Sequence, residues 1–479
     1  MKGKIRFNTR WPIDLGLFND SRAILIMQIP IIGFIFIVTG ITAFLFNRKL
    51  LYDLTIFFIP FSATAVINIG QASNSSSIQP YMLFASLWIL SLIIKSLLKK
   101  GKKTLIIKVP IKEYKAILPL ILFSVVALIS LVMPLLIDGS ELGNKTGRLG
   151  FEEPIYFTST NITQYIYLLL GIIFSICIYS YNKKKENYLH TLKVYYYAIL
   201  FTVIWGLIEY LLKITGKEPI PVFNNSLKTG NMVLAVIEDG GQRIASVCAE
   251  ASIFVQVVIV ILPFVIIGIQ NNKYITNKYF DCFYLFLTIL TILLSTSSSG
   301  ILALIILAIL IFLIKQHSLS IGKKILYTTS FFFLLFIFVT LTFLFWGDML
   351  QMMIFDKPES YSAMERLGNI IQAWYNFENY PLLGVGWGSV TSMDLVVKLL
   401  SNTGIAGTLL FLIYLFITGR NLIRCSKNEY LYTEKLRDAI LISFILVVFL
   451  SEIAGLSFMF GHPWLILGLS MICQSATKK

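Results

Sequence analysis

Apolar blocks and polar breaks alternate along almost the whole chain. Thirteen apolar blocks lie near residues 23–46, 52–70, 80–98, 116–137, 162–181, 194–212, 252–270, 279–296, 300–315, 325–346, 404–419, 439–456 and 464–476. Most hold about 18–24 residues, and as helix, at a rise of about 1.5 Å per residue, such a block crosses roughly 30 Å of hydrocarbon. Composition agrees: of 479 residues, 57% are hydrophobic and 14% charged. Soluble domains run near 45–50% apolar and about 25% charged. So few charges cannot cover a water-soluble surface of this size. The expected fold is an all-α polytopic membrane protein with about 12–13 transmembrane helices, forming a single transmembrane domain over residues 1–479.

The net charge of +15, from 40 Lys and Arg against 25 Asp and Glu, is distributed in a way that sets orientation. Lys99, Lys100, Lys102, Lys103 and Lys108 follow the third block; Lys183, Lys184 and Lys185 follow the fifth. Lys273 and Lys278 follow the seventh, Lys315, Lys323 and Lys324 the ninth, and Arg420, Arg424, Lys427, Lys435 and Arg437 the eleventh. By the positive-inside rule these breaks are cytoplasmic, and so is the C-terminal Lys478–Lys479. Nucleic-acid binding is not expected, because the basic residues form no continuous module. The first block conflicts with the scheme. With Arg48 and Lys49 inside, the N-terminus falls outside despite Lys2, Lys4, Arg6 and Arg10, unless the block is a hairpin broken around Pro30 and Gly33. That block starts near Ala23 without a small-residue cleavage site, so a cleavable signal peptide is not expected. The five cysteines, Cys177, Cys248, Cys282, Cys425 and Cys473, give neither a disulfide framework nor zinc spacing.

Three of the remaining, extracytoplasmic breaks are long: 138–161, 213–251 and 347–403. Connections beyond about 12–15 residues are often functional. In the third loop Met364, Leu367, Ile371, Trp374 and Phe377 recur at spacings of three and four, as on one face of an amphipathic helix. Pro381 stops that helix, Gly384, Gly386 and Gly388 make a turn, and a second helical stretch follows from Ser392 to Leu400. The ordinary role of Trp374 and Phe377 is packing on the membrane surface or on neighbouring helix ends. The G-x-G-x-G turn follows no strand, which weakens a nucleotide reading.

Chemistry concentrates in the long loops. The second ends in Arg243, Ser246, Cys248, Glu250 and Ser252, running into the seventh block. Guanidinium stays charged and makes forked hydrogen bonds suited to pyrophosphate. Glu250 lies seven residues after Arg243, so the two share a face if the segment is helical; a structural ion pair capping the loop is the plainer alternative. Arg366, preceded by Glu365, opens the amphipathic helix, where a surface salt bridge is the ordinary reading. His190 and His317 fall in cytoplasmic loops, and His462 sits in a short outward break at the membrane interface. Ser295–Ser299 most simply terminates two helices. No ligand cluster calls for a metal ion.

Together these pieces resemble the O-antigen polymerase and O-antigen ligase superfamily of bacterial polysaccharide assembly. The match rests on Arg243, Ser246, Glu250 and Ser252, on the Ser-rich break at Ser297–Gly300, and on Arg366-Leu367 through Trp374 and Phe377 to Pro381-Leu382-Leu383-Gly384-Val385-Gly386, followed by Asn402-Thr403-Gly404-Ile405-Ala406-Gly407. It covers about residues 240–420. Departures point away from a lipid A-core ligase and towards a glycosyltransferase of polymerase type, or a related capsule or exopolysaccharide enzyme: no histidine lies between Arg366 and Gly407, Ala251 replaces the usual Pro, and the Ser-rich break lacks its usual Arg. The resemblance implies a metal- and cofactor-independent enzyme in the bacterial cytoplasmic membrane, with its functional loops extracytoplasmic. Its substrate would be oligosaccharide on undecaprenyl pyrophosphate, with a chain-length regulator and a flippase as partners. Arg243 and Arg366 would stabilise the leaving pyrophosphate, and Glu250 or Asp394, with Glu250 slightly favoured, would accept the acceptor's proton. Ser246, Trp374, Gly384, Gly386 and Asn402 are the candidate substrate contacts. A ligase-type transferase is one alternative. A flippase of lipid-linked sugars is another, with Glu209, Asp281 and Glu452 as the ionisable residues that a transporter keeps inside its spans.

Overall fold

A computed structural model describes residues 27–70, 76–98, 111–138, 142–145, 152–217, 220–227, 243–273, 275–317, parts of 320–340, 361–425, 434–455 and 457–472. The N-terminal basic residues, the Lys99–Lys108 stretch and Lys478–Lys479 lie outside these residues, as does most of the 325–346 block.

In chain order the described elements are β1 (Met27–Gln28), α1 (Ile31–Phe46), α2 (Arg48–Phe57), β2 (Ile67–Ile69), β3 (Ser76–Ile78), α3 (Pro80–Leu98), α4 (Ile111–Ser130) and α5 (Met133–Leu136). Then come β4 (Gly143–Lys145), β5 (Glu152–Pro154), α6 (Ser159–Tyr181), α7 (Lys185–Ile214), α8 (Ala251–Ile259), α9 (Leu262–Gln270) and α10 (Lys278–Leu294). The last are α11 (Ser298–His317), α12 (Tyr361–Asn379), α13 (Leu395–Arg424), α14 (Glu434–Ile453) and α15 (Gly461–Ser470). The protein is an all-α polytopic membrane protein, and its described residues include two small sheets. Among the described residues, seven helical segments are long and apolar enough to cross a membrane: Pro80–Leu98, Ala116–Leu136, Ser159–Tyr181, Lys185–Ile214, Ala251–Gln270, Ser298–Gln316 and Leu395–Arg424.

Two expectations change. The first block is one helix from Ile31 to Phe46, continuous through Gly33, so its described part is no hairpin. The second block is not a span. Its helix ends at Phe57, and Pro60, which lacks an N–H, begins a turn that leads into β2. The freed backbone groups find other partners: Val66 N donates to Ile78 O at 2.8 Å, and Ala63 N to Val247 O at 3.0 Å.

The chain divides into two compact units, one of Met1–Ile106 with Lys193–Phe254 and the other of Ile107–Leu192 with Val255–Lys479. In the first, β1–β2–β3 form an antiparallel sheet. Phe58, Phe61, Phe84, Phe201 and Phe223 make edge-on and stacked contacts, such as Phe61 on Phe201 at 5.5 Å between centroids. In the second, α13 packs along α4 and α15 along α6. Gly171 of α6 leaves room for Trp464, whose backbone oxygen accepts from Ser175 Oγ at 2.6 Å. The hairpin β4–β5 pairs Gly143 with Pro154 and lies against α12.

Candidate active site

In the first unit, residues 243–250 are not helical. Ser246 adopts a positive φ of 57°, which turns the chain before α8 begins, so the helical face that would have joined Arg243 to Glu250 does not form. The loop is threaded through the turn after α2, with Cys248 Sγ donating to Pro60 O at 3.2 Å and Ala249 N to Ser62 Oγ at 3.0 Å. Its organiser is a residue that spacing alone did not single out for this role. The buried Glu209 on α7 pairs with Lys213 at 2.7 Å and accepts from Ser246 N at 2.7 Å, while Lys213 Nζ also donates to Arg243 O at 2.7 Å. The i,i+4 placement of Glu209 and Lys213 was the available signal. Ser246 Oγ donates to Thr202 O at 2.6 Å, so its hydroxyl serves the loop. Arg243 is left with an exposed side chain, and the half-buried Glu250 accepts from Ser252 Oγ at 3.1 Å.

The second unit assembles the third loop around the start of α13. Gly384, Gly386 and Asn402 are placed as scaffold. Val385 N donates to Ser401 O at 2.8 Å, Ile405 N to Pro381 O at 2.8 Å, and Ala406 N to Leu382 O at 3.3 Å, so the Pro381–Gly386 turn is laced to a kink in α13. The kink is at Gly404, whose φ of 62° and ψ of −166° interrupt the helix. A side chain at Gly404 would strike Leu382, and one at Gly384, with φ +67°, would strike Ser401 and Asn402. Gly386 packs on Pro134. The amide of Asn402 accepts from Val390 N at 3.2 Å and donates to Val390 O at 2.9 Å and Lys398 O at 2.8 Å. Residues from the first long loop complete the seat: Asn161 Nδ2 donates to Trp387 O and Ser389 Oγ, both at 2.8 Å, and Asn376 Nδ2 to Gly143 O at 2.9 Å.

This seat gathers charge. Asp394 is the residue before α13, and burial pushes its carboxyl above the usual range while the guanidinium of Arg366, on α12, pulls it back down. Glu452, near the end of α14, accepts from Val396 N at 3.2 Å and interacts with Asp394. Lys398, one turn on, places its ammonium 5.9 Å from the ring of Phe458. Arg366 thus acts on Asp394 electrostatically, and Glu452 comes to the start of α13 through its bond to Val396 N, where the two carboxylates repel each other. Because Glu452 follows Asp394 by 58 positions (452 − 394) on another helix, no local pattern could have joined them. Trp374 is exposed on α12, with its indole donating to Glu378 at 2.8 Å. The Ser-rich break ends and restarts helices as expected: Gly300 N donates to Ser297 O at 2.9 Å, and Ser297 and Ser299 share a 2.7 Å hydrogen bond. His462 is buried, with Nδ1 unpartnered. Among the described residues, no group of three His, Cys, Asp or Glu side chains is placed to hold a metal ion.

Residues 283–401 match the family model described as O-Antigen ligase. The matched region runs from α10 into α13 and contains the Ser-rich break, Arg366, the Pro381–Gly386 turn and Asp394. It supports the O-antigen ligase and polymerase superfamily and a membrane enzyme of that type. The comparison with curated proteins gave no match.

Proposed function

We propose that the protein is a glycosyltransferase that polymerises undecaprenyl-pyrophosphate-linked oligosaccharide repeat units on the outer face of the cytoplasmic membrane, for O-antigen, capsule or exopolysaccharide. The observation that carries this reading is that Arg366 acts electrostatically on Asp394 at the start of α13, where Glu452 accepts from Val396 N, within and beside the region that matches the O-antigen ligase model. Transfer needs a cation where negative charge develops on the departing pyrophosphate. It also needs a carboxylate that takes the proton of the attacking hydroxyl. Arg366 fills the first role in the second unit, and Arg243 is the candidate cation of the first unit. The partly desolvated Asp394 is better suited to the second role than Glu250, which is engaged with Ser252. The functional loops are extracytoplasmic and the C-terminus cytoplasmic on the charge pattern of the sequence.

A ligase-type transferase is the second reading, favoured by the description of the matching family. Transport is less well supported, because all three of its candidate carboxylates hold backbone or lysine partners, Glu452 accepting from Val396 N at 3.2 Å. Glu209 binds Lys213 and Ser246 N, and Asp281 accepts from Ile275 N and Thr276 Oγ1, both at 2.7 Å. The test uses purified protein in vesicles with lipid-linked repeat units. Ladders made without a membrane gradient support a polymerase. A single transfer to a non-polymer acceptor supports the ligase. Normal chain length from stably inserted Arg243→Ala and Arg366→Ala variants would overturn both transferase readings of these arginines.

A further inference from the structure

α12 presents its two faces the wrong way round for a helix in water. The face turned into the protein carries Asn369, Ala373 and Asn376, all buried, and Asn376 is anchored on the β4 backbone. The outward face carries Met364, Leu367, Ile371 and Trp374, with Tyr375 beside them and Glu378 closing the stripe in the last turn; Leu367 is 58% and Ile371 59% exposed. A water-facing amphipathic helix buries its apolar stripe and shows its polar one. This helix does the reverse, and no described residue covers the stripe.

The stripe is continuous with a lipid-facing surface. Beyond α12, Leu382 is 74% exposed and sits on the α13 kink, its carbonyl accepting from Ala406 N. From there Ile405, Leu409, Ile413 and Phe416 run down the exposed side of α13, a helix long and apolar enough to cross a membrane. The only hydrogen-bonding atom of the Trp374 side chain is already satisfied by Glu378, so the ring can enter an apolar medium without losing a partner. Trp and Tyr are the residues that settle where hydrocarbon meets headgroups.

We propose that α12 is an in-plane interfacial helix, with Met364, Leu367, Ile371 and Trp374 immersed in the outer layer of the bilayer that α13 crosses. Arg366, on the same helix, would then be held at headgroup depth, where the phosphates of any lipid-linked substrate lie. The helix placement does not depend on the reaction assigned above.

The test is a spin-label scan of the full chain in phosphatidylethanolamine–phosphatidylglycerol vesicles. Single cysteines replace Leu367, Ile371, Trp374 and Asn379 in a Cys282→Ser background, with labelling of that background subtracted; Asn379 is exposed about a quarter turn off the stripe, and Cys282 is an exposed free cysteine. The expected ratio of oxygen to nickel-chelate accessibility is several-fold higher at 367, 371 and 374 than at 379. High nickel accessibility at the three apolar sites would place the stripe in water and overturn the proposal. Low accessibility to both reagents would mean a protein cover, whether a second copy or residues 341–360, and would overturn it equally. Met364→Cys repeats the measurement if one of these variants fails to insert.

Discussion

Gly384→Ala tests whether the Pro381–Gly386 turn and the α13 kink form one joint. At φ +67° an alanine is held in the left-handed region, at about 1–2 kcal/mol. Its Cβ would also lie 2.7 Å from Asn402 C and Thr403 N and nearer still to Ser401 O. Both sides of that contact are fixed backbone, tied by the 2.8 Å bonds Val385 N–Ser401 O and Ile405 N–Pro381 O. Relief must therefore open the joint, which adds about 1–3 kcal/mol in the manner of an overpacked core. The total is about 2–5 kcal/mol. Gly216 supplies the control, for it has φ +70° and nothing within 4 Å of a new Cβ. Gly216→Ala should show the conformational cost of about 1–2 kcal/mol alone. Unfolding in mixed micelles as the SDS fraction rises, with protease cutting between residues 381 and 392 as a local readout, separates the two. Gly384→Ala should unfold at the lower SDS fraction and be cut first in that segment. Equal midpoints, or a protected 381–392 segment in Gly384→Ala, would refute the joint.

Asn402→Ala removes three hydrogen bonds, and each buried group of Val390 or Lys398 left unpaired costs about 1–3 kcal/mol; amide exchange near Val390 should speed up while α6 is unaffected. Lys213→Met leaves Glu209 buried without its cation, and breaking a buried pair costs about 3–5 kcal/mol; the 243–250 loop should become protease-sensitive, and an unchanged digestion pattern would count against Glu209 as its organiser. The pH dependence of transfer has a defined sign. Burial raises the Asp394 carboxyl and Arg366 lowers it, so the rate should fall as pH drops through that raised value. In Arg366→Gln the lowering is lost, and the acid limb of the residual rate should move to higher pH. A limb that stays put or moves down contradicts Asp394 as the proton acceptor beside Arg366 and Glu452.

The sequence showed where helices stand more readily than which way they face. Pro80–Leu98 and Ser159–Tyr181 appear almost as their apolar blocks predict, because length and hydropathy are local properties. The 52–70 block misled, since Pro60 and the pairing of β2 with β3 are tertiary outcomes hidden inside an apolar run. In α12 the periodicity was right, but a period of 3.6 reports only that two faces differ. The medium decides which face is inward, and Leu367 and Ile371 point out while Asn369 and Asn376 point in. The site divides in the same way. Arg366 and Asp394 were legible as charges in a long loop, whereas Glu452 joins them only because α14 returns to the start of α13.

The joint also decides what the glycine-rich turn is for. Three glycines in a row of alternate positions suggest a phosphate cradle, whose requirement is a set of backbone N–H groups free to face a ligand. Here Gly384 N is bonded to Tyr380 O at 3.0 Å and Val385 N to Ser401 O. Trp387 N is likewise bonded, to Ser130 Oγ at 3.1 Å. With these donors committed to the protein, positive φ at Gly384 and at Gly404 answers a mutual close approach of two backbones. Under the proposed function, anion recognition is then left to side chains, with Arg366 before the joint on α12, while Asp394 stands after it at the start of α13. The turn is thus a joint between the end of α12 and the kink of α13, the two helices that carry Arg366 and border Asp394.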